Sequence, residues 1–151
     1  MKFLFRILSF SLLLSVCFSQ LSAQDVQGIS FSKGQLAEAK ARAAAENKLI
    51  FIDAYAVWCG PCKVMEKKVF TNQKVANYFN EHFINVKLDV DHEEGQAFAN
   101  HHKIQYIPEF FFMDADGKIV KREKGLIRTD DFLKLAEEAQ TSKASAIEDG
   151  E

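Results

Sequence analysis

Cysteine is scarce in this sequence: there are three in 151 residues, and one of them, Cys17, lies in an amino-terminal segment that reads as removed on export. Without it the chain keeps a single pair, Cys59 and Cys62, which excludes a disulfide-stapled scaffold because such scaffolds are small and cysteine-dense. A structural zinc site takes four ligands and a catalytic one three plus an open position, so a metal would have to recruit His82, His92, His101 or His102. His101 and His102 are adjacent, do not share a helix face, and read as solvent-exposed. An excess of positive charge is also lacking. Nineteen Lys and Arg face 21 Asp and Glu, and removal of residues 1–23 takes Lys2 and Arg6 and leaves a formal charge of -4. A nucleic-acid footprint would be basic and clustered, so nucleic acid is excluded as a partner. No apolar run is long enough for a comfortable membrane span, and there is neither an internal repeat nor a second domain.

What is present is 48% apolar and 26% charged residues, enough for one domain with its own core. Met1 to Arg6 supply a positive start, Ile7 to Phe18 an apolar and small run, and Ser22-Ala23 small residues at a cleavage position. Residues 1–23 therefore read as a signal peptide, which gives a periplasmic or secreted protein. Two alternatives stand beside it: lipoprotein processing at Cys17, against which Val16 counts, and an uncleaved anchor. Residues 24–141 then form the domain and 142–151 a polar, frayed tail.

Within the domain, Val26 to Phe31 reads as a short strand, and Ser32 with Gln35 as a capping box. The helix from Leu36 to Glu46 would pack through Leu36, Ala39, Ala43 and Ala44 and end at Asn47. Lys48 to Tyr55 is apolar without alternation, as in a central strand covered on both faces. Asp53 interrupts it, and a buried carboxylate costs several kcal/mol unless paired or protonated. A helix follows from Lys63, breaks at Thr71-Asn72 and resumes from Gln73 with Val75, Ala76 and Phe79 on one side. Ile84, Val86, Leu88 and Val90 alternate in a second strand, and an acid-rich start at Asp91 opens a helix toward Asn100. Glu109 to Met113 and Lys118 to Glu123 form a hairpin about the turn Asp114 to Gly117, and Thr129 caps a last helix packed through Phe132, Leu133, Leu135 and Ala136. The order predicts an α/β fold, a central mixed sheet with helices on both faces, with function at the carboxyl ends of its central strands.

That is where Cys59 falls. Side chains at i and i+3 share a helix face, so Cys59 and Cys62 can close a disulfide across one turn. A thiolate on Cys59 would receive the free amides and positive end of the following helix, which lowers its pKa. Pro61 costs nothing in a first turn. On this reading Cys59 faces solvent and attacks, and Cys62 resolves. Half a zinc site and an inert structural disulfide remain open for the same pair.

Trp58-Cys59-Gly60-Pro61-Cys62-Lys63 resembles the active-site signature of the thioredoxin family, with Asp53 at the family's buried acid and Ile107-Pro108 at its cis proline. The resemblance covers roughly residues 31–140. Met65-Glu66, Val69-Phe70 and the broken helix are similar to exported thioredoxin-like domains related to the carboxy-terminal periplasmic domain of the transmembrane thiol:disulfide interchange protein. Glu109 departs from the pattern, standing where a threonine is common. The resemblance implies a thioredoxin fold and a thiol:disulfide oxidoreductase with no cofactor and no metal. Cys59 would attack a protein disulfide and Cys62 release the mixed disulfide. Asp53 would accept the Cys62 proton; alternatively it is a core aspartate paired with Lys87. Trp58, Gly60, Pro61, Ile107 and Pro108 would meet the substrate, Trp58 as an apolar platform unless it is merely packed, and Pro108 by presenting a backbone edge beside Cys59. Gly60-Pro61 resembles reducing members, fed by a membrane-embedded thiol donor. An oxidase or isomerase, and a non-catalytic binding or chaperone module, are the alternatives.

Overall fold

The computed structural model of the chain describes residues 28–148; the segment 1–23 expected to act as a signal peptide, with Cys17, lies outside the described residues. Among the described residues five strands form one mixed sheet. β1 is Ser32–Lys33, β2 Leu49–Tyr55, β3 Phe83–Asp89, β4 Glu109–Met113 and β5 Ile119–Lys124, in the spatial order β1-β3-β2-β4-β5. β1, β3 and β2 run parallel, and β4 and β5 are antiparallel to their neighbours. The helices are α1 (Leu36–Glu46), α2 (Gly60–Val64) continued by a π-helical turn (Met65–Val69), α3 (Gln73–His82), α4 (Glu93–His102) and α5 (Thr129–Glu148).

Alternation along the strands divides the core into two layers. Leu49 and Phe51 of β2, Phe83 of β3, and Phe110 and Phe112 of β4 meet the π-helical turn, α3 and α5 on one face. There the ring of Phe51 lies 4.7 Å from that of Phe79, 5.2 Å from Phe112 and 5.7 Å from Phe132, centroid to centroid. Ile50, Ile52, Ile84, Val86, Leu88, Phe111 and Met113 meet Ala39 and Ala43 of α1 and Phe98 of α4 on the other. Each such side chain taken fully from water contributes about 1.5–3 kcal/mol. β3 alternates as expected, yet Asn85 and Lys87 between its apolar residues are buried too, because helices cover both faces.

Several local expectations shift. Of the expected strand Val26 to Phe31, residues 26–27 lie outside the described residues and 28–31 form no strand; the first strand among the described residues is Ser32–Lys33, where Ser32 pairs with Val86 while Phe31 turns its ring toward Phe51 and Phe70. Ser32 consequently does not cap α1. Gln35 stands at the N-cap in a left-handed conformation, and the carboxylate of Glu94 in α4 accepts the Leu36 N–H at 2.8 Å. Ala44 is exposed, the buried stripe of α1 being Ala39 and Ala43, one turn apart. Asn72 does cap α3, its Oδ1 accepting from the amides of Lys74 and Val75. The hairpin turn falls at Asp114 to Gly117, where Gly117 takes a positive φ of 98°. Thr129 is the first helical residue of α5 rather than its cap, the Arg128 carbonyl accepting the Phe132 N–H. Of the tail expected to fray over 142–151, residues 142–148 continue α5 and 149–151 lie outside the described residues; Lys143 Nζ donates to the backbone oxygen and Oδ1 of Asn47 at the end of α1.

Because β2 and β3 are parallel, their carboxyl ends Tyr55 and Asp89 finish at one sheet edge. β4 runs the other way, so its first residue, Glu109, starts beside Ala54 at that edge. Three chain segments thus converge there: the one entering α2, the one entering α4, and the loop before β4.

Candidate active site

At that edge the Ala56 carbonyl accepts the Cys59 N–H at 3.1 Å, closing the turn that presents Trp58 and starts α2. Cys59 is the N-cap residue, in extended conformation, and its Sγ accepts the Cys62 N–H at 3.2 Å. Pro61 occupies the first turn, where no helical partner for an amide is needed. One helical turn apart, Cys59 and Cys62 form a disulfide, with Cα atoms 5.3 Å apart. The same N–H donation would stabilise a thiolate on Cys59 after reduction.

The first sulfur was expected to face solvent, but in the disulfide form Cys59 is 3% exposed, as is Cys62. Ala56 lies in the same buried cluster, and Tyr55, Val90 and Ile107 pack against it. Gly60 is open: a Cβ there would meet nothing within 4 Å. The Ile107-Pro108 bond beside this cluster is cis. The Pro108 carbonyl turns inward and accepts the Gly125 N–H at 2.8 Å. The Pro108 oxygen is thus taken up within the fold, while the neighbouring Ile107 packs against the cysteine cluster. Trp58 is 66% exposed, and its Nε1 donates to Asp91 Oδ2 at 2.6 Å. It is an exposed side chain tethered at the surface, not a packed core residue.

Asp53 falls on the phenylalanine face by strand alternation, the face that the helix from Cys62 covers through Met65 and Val69. The parallel register pairs Asp53 with Lys87, which shares that face. Lys87 Nζ stands 3.5 Å from Asp53 Oδ2, touches Glu66 Oε1, and lies 4.1 Å from the centroid of the Tyr55 ring. Asp53 Oδ1 has no hydrogen-bond partner. Burial pushes the Asp53 pKa up to about 7; the Lys87 ammonium opposes that shift and Glu66 adds to it. Asp53 is thus buried, raised in pKa and in contact with Lys87 at once.

Glu66 and Asp91 were missed as parts of this site. Glu66 lies four residues beyond Cys62 on a helical segment, a spacing that puts both on one face. Asp91 follows β3 at the edge where Trp58 follows β2, which is legible once the two strands are taken as parallel neighbours. His102 departs from expectation: half-buried, it packs its ring 4.2 Å from that of Phe98 and 5.5 Å from that of Phe111. Desolvation holds its pKa below the usual histidine value, with His101 and Arg122 acting the same way.

A family model described as "Thioredoxin-like" matches residues 32–115, a span that includes Asp53, both cysteines and Pro108. The chain belongs to the thioredoxin-like family. It is 39% identical over 70 residues to Thioredoxin-1 of Drosophila melanogaster, covering 46% of this chain and 61% of that protein. It is 30% identical over 118 residues to the thiol:disulfide interchange protein DsbD of Actinobacillus pleuropneumoniae, covering 74% of this chain and 20% of that one. The chain therefore spans less than two thirds of either curated relative. Among solved structures, a candidate disulphide-isomerase from Bacteroides thetaiotaomicron superposes with a TM-score of 0.68 at 36% identity, over 75% of this chain and 93% of that one. The expected thioredoxin fold, a mixed sheet with helices on both faces, is the observed one.

Proposed function

We propose that this thioredoxin-like protein is an exported thiol:disulfide oxidoreductase that reduces disulfides in other proteins. The observation that carries the reading is the sulfur of Cys59 at a helix N-cap, accepting the Cys62 N–H, with a buried carboxyl in the preceding strand whose pKa is raised to about 7. In the reduced protein the Cys59 thiolate attacks a substrate disulfide, forms the Cys59–substrate disulfide and releases one substrate thiolate. Cys62 then attacks the Cys59 sulfur, releases the second substrate thiolate and closes the Cys59–Cys62 disulfide. Two electrons pass to the substrate. Asp53 takes the Cys62 proton, a task suited to a carboxyl that titrates near neutrality. Trp58, Gly60, Pro61, Ile107 and Pro108 frame the docking surface.

The signal-like segment 1–23 supports export, and a membrane-embedded thiol donor would return the electrons. Reduction of insulin disulfides by wild type and Cys59→Ser tests the exchange; retained activity in the variant would sink Cys59 as nucleophile. A glutathione titration tests direction, and a potential above about -150 mV, toward the strongly oxidising end of such proteins, would overturn the reducing assignment. Isomerase activity is the second reading, favoured by the likeness to the Bacteroides protein. Reactivation of scrambled ribonuclease in a glutathione buffer distinguishes it.

A further inference from the structure

The loop over residues 103–108, between α4 and β4, packs Ile107 against the cysteine cluster and leaves the neighbouring Tyr106 exposed, and one side chain from another strand holds both its ends. Arg122 of β5 donates from Nε to Glu109 Oε1 at 2.6 Å and from Nη1 to the His102 carbonyl oxygen at 3.1 Å. His102 is the last residue of α4, and Glu109 directly follows Pro108. The loop therefore leaves from one partner of the guanidinium and returns to the other. Arg122 is itself seated: it lies opposite Phe111 in the β4–β5 register, with its guanidinium carbon 4.8 Å from the centroid of that ring.

The chemistry is specific to arginine. Its planar fork aims two N–H groups along different directions while its face rests on an aromatic ring, which a lysine ammonium does not reproduce. Glu109 is buried, and a buried carboxylate without its partner is strongly unfavourable, so the contact is held firmly. The loop between the two anchors has no strand ladder of its own. Its Tyr106 is 64% exposed, while Ile107 packs against the cysteine cluster.

We infer that Arg122 is a positioning residue for disulfide exchange, clamping the loop so that the edge at Tyr106 and Ile107 is already in place when a protein substrate docks beside Cys59. The inference rests on the exchange function proposed above. An ordered edge spares a substrate the entropy of ordering it on binding. A small disulfide does not use that edge. Loosening the clamp therefore weakens protein substrates selectively, without altering the sulfur chemistry.

The test uses the full chain with Arg122→Met, Arg122→Lys and the double variant Glu109→Gln/Arg122→Met, which leaves no unpaired carboxylate should the single variant fail to fold. Insulin reduction gives KM and kcat, 5,5′-dithiobis(2-nitrobenzoate) gives the rate with a small disulfide, and a glutathione titration gives the potential. In every folded variant, KM for insulin rises about five- to tenfold while kcat and the small-disulfide rate stay within about twofold and the potential is unchanged. Arg122→Lys, which keeps a charge but not the two-ended reach, does not restore KM. An unchanged KM in the double variant, a small-disulfide rate that falls in parallel, or full rescue by lysine overturns the clamp. A wild type that reduces neither substrate overturns the exchange function along with it.

Discussion

Asp53 with Lys87 and Glu109 with Arg122 are two acid–base pairs at the same end of the sheet, on opposite faces. In the first, the charges stand 3.5 Å apart, the lysine is shared with Glu66, and one carboxylate oxygen has no partner. In the second, the contact is 2.6 Å and the guanidinium also binds a backbone carbonyl. The hydrogen bond that Arg122 donates to Glu109 raises the Arg122 pKa above its ordinary value, so that side keeps its charge. For Asp53 burial is the first cause of the shift, and a lysine divided between two carboxylates opposes it only in part. A buried carboxyl whose cation is divided and distant gives up its charge near pH 7, while a cation closely matched to its carboxylate holds its own.

The largest expected effect comes from removing the titration of the first pair. The raised pKa means that the native protein holds the Asp53 proton between about pH 4 and 7 while the unfolded chain has lost it. Stability is therefore highest below the unfolded pKa and falls as pH rises through about 7. A shift of about three units corresponds to about 4 kcal/mol. Asp53→Asn should accordingly stabilise the oxidised protein by up to about 4 kcal/mol at pH 8 and by little at pH 4, read by urea unfolding. An equal effect at both pH values would mean that Asp53 titrates as an ordinary carboxyl, and the contrast between the pairs would collapse.

Breaking the second pair should act with the opposite sign. Arg122→Met should destabilise by roughly 2–3 kcal/mol, toward the low end for a buried pair because the arginine is partly exposed. Urea unfolding at pH 6 and pH 8 should give the same loss, since the guanidinium stays charged at both. Next in size, Lys87→Met should move the Asp53 pKa up by about one unit or more, because the ammonium is what pulls it down. The carboxyl carbon shift of Asp53, followed by NMR against pH, reads this directly, and a downward move would refute the assigned role of Lys87. The smallest change belongs to an exposed bond outside both pairs. Asp91→Ala releases the Trp58 indole and should cost under about 1 kcal/mol while altering tryptophan emission.

The elements that could be read in advance are those with local causes. The unbroken apolar run of β2, the Asn72 cap, the Asp114 to Gly117 turn and the cysteine pair at the start of a helix each depend on residues within a few positions of one another. What escaped reading has a distant partner. Glu94 caps α1 from 58 residues away, Lys143 holds the end of α1 from 96 away, and Arg122 reaches back 13 residues to Glu109 and 20 to His102. Glu109 could be marked as unusual beside Pro108, but nothing local in the chain indicates which cation meets it. Trp58 and Glu66 likewise gain their roles from neighbours that the sheet supplies.

By itself the sequence determined the order of helices and strands, the thiol pair one helical turn apart, and the presence of an acid inside an apolar strand, because propensity, capping and periodicity act over about four residues. The tertiary structure alone decided that this acid shares its lysine with Glu66, that Cys59 is covered in the disulfide form, and that Arg122 spans the loop beside it. Those outcomes depend on strand register and on exclusion of water, and both arise only when segments remote along the chain pack against one another.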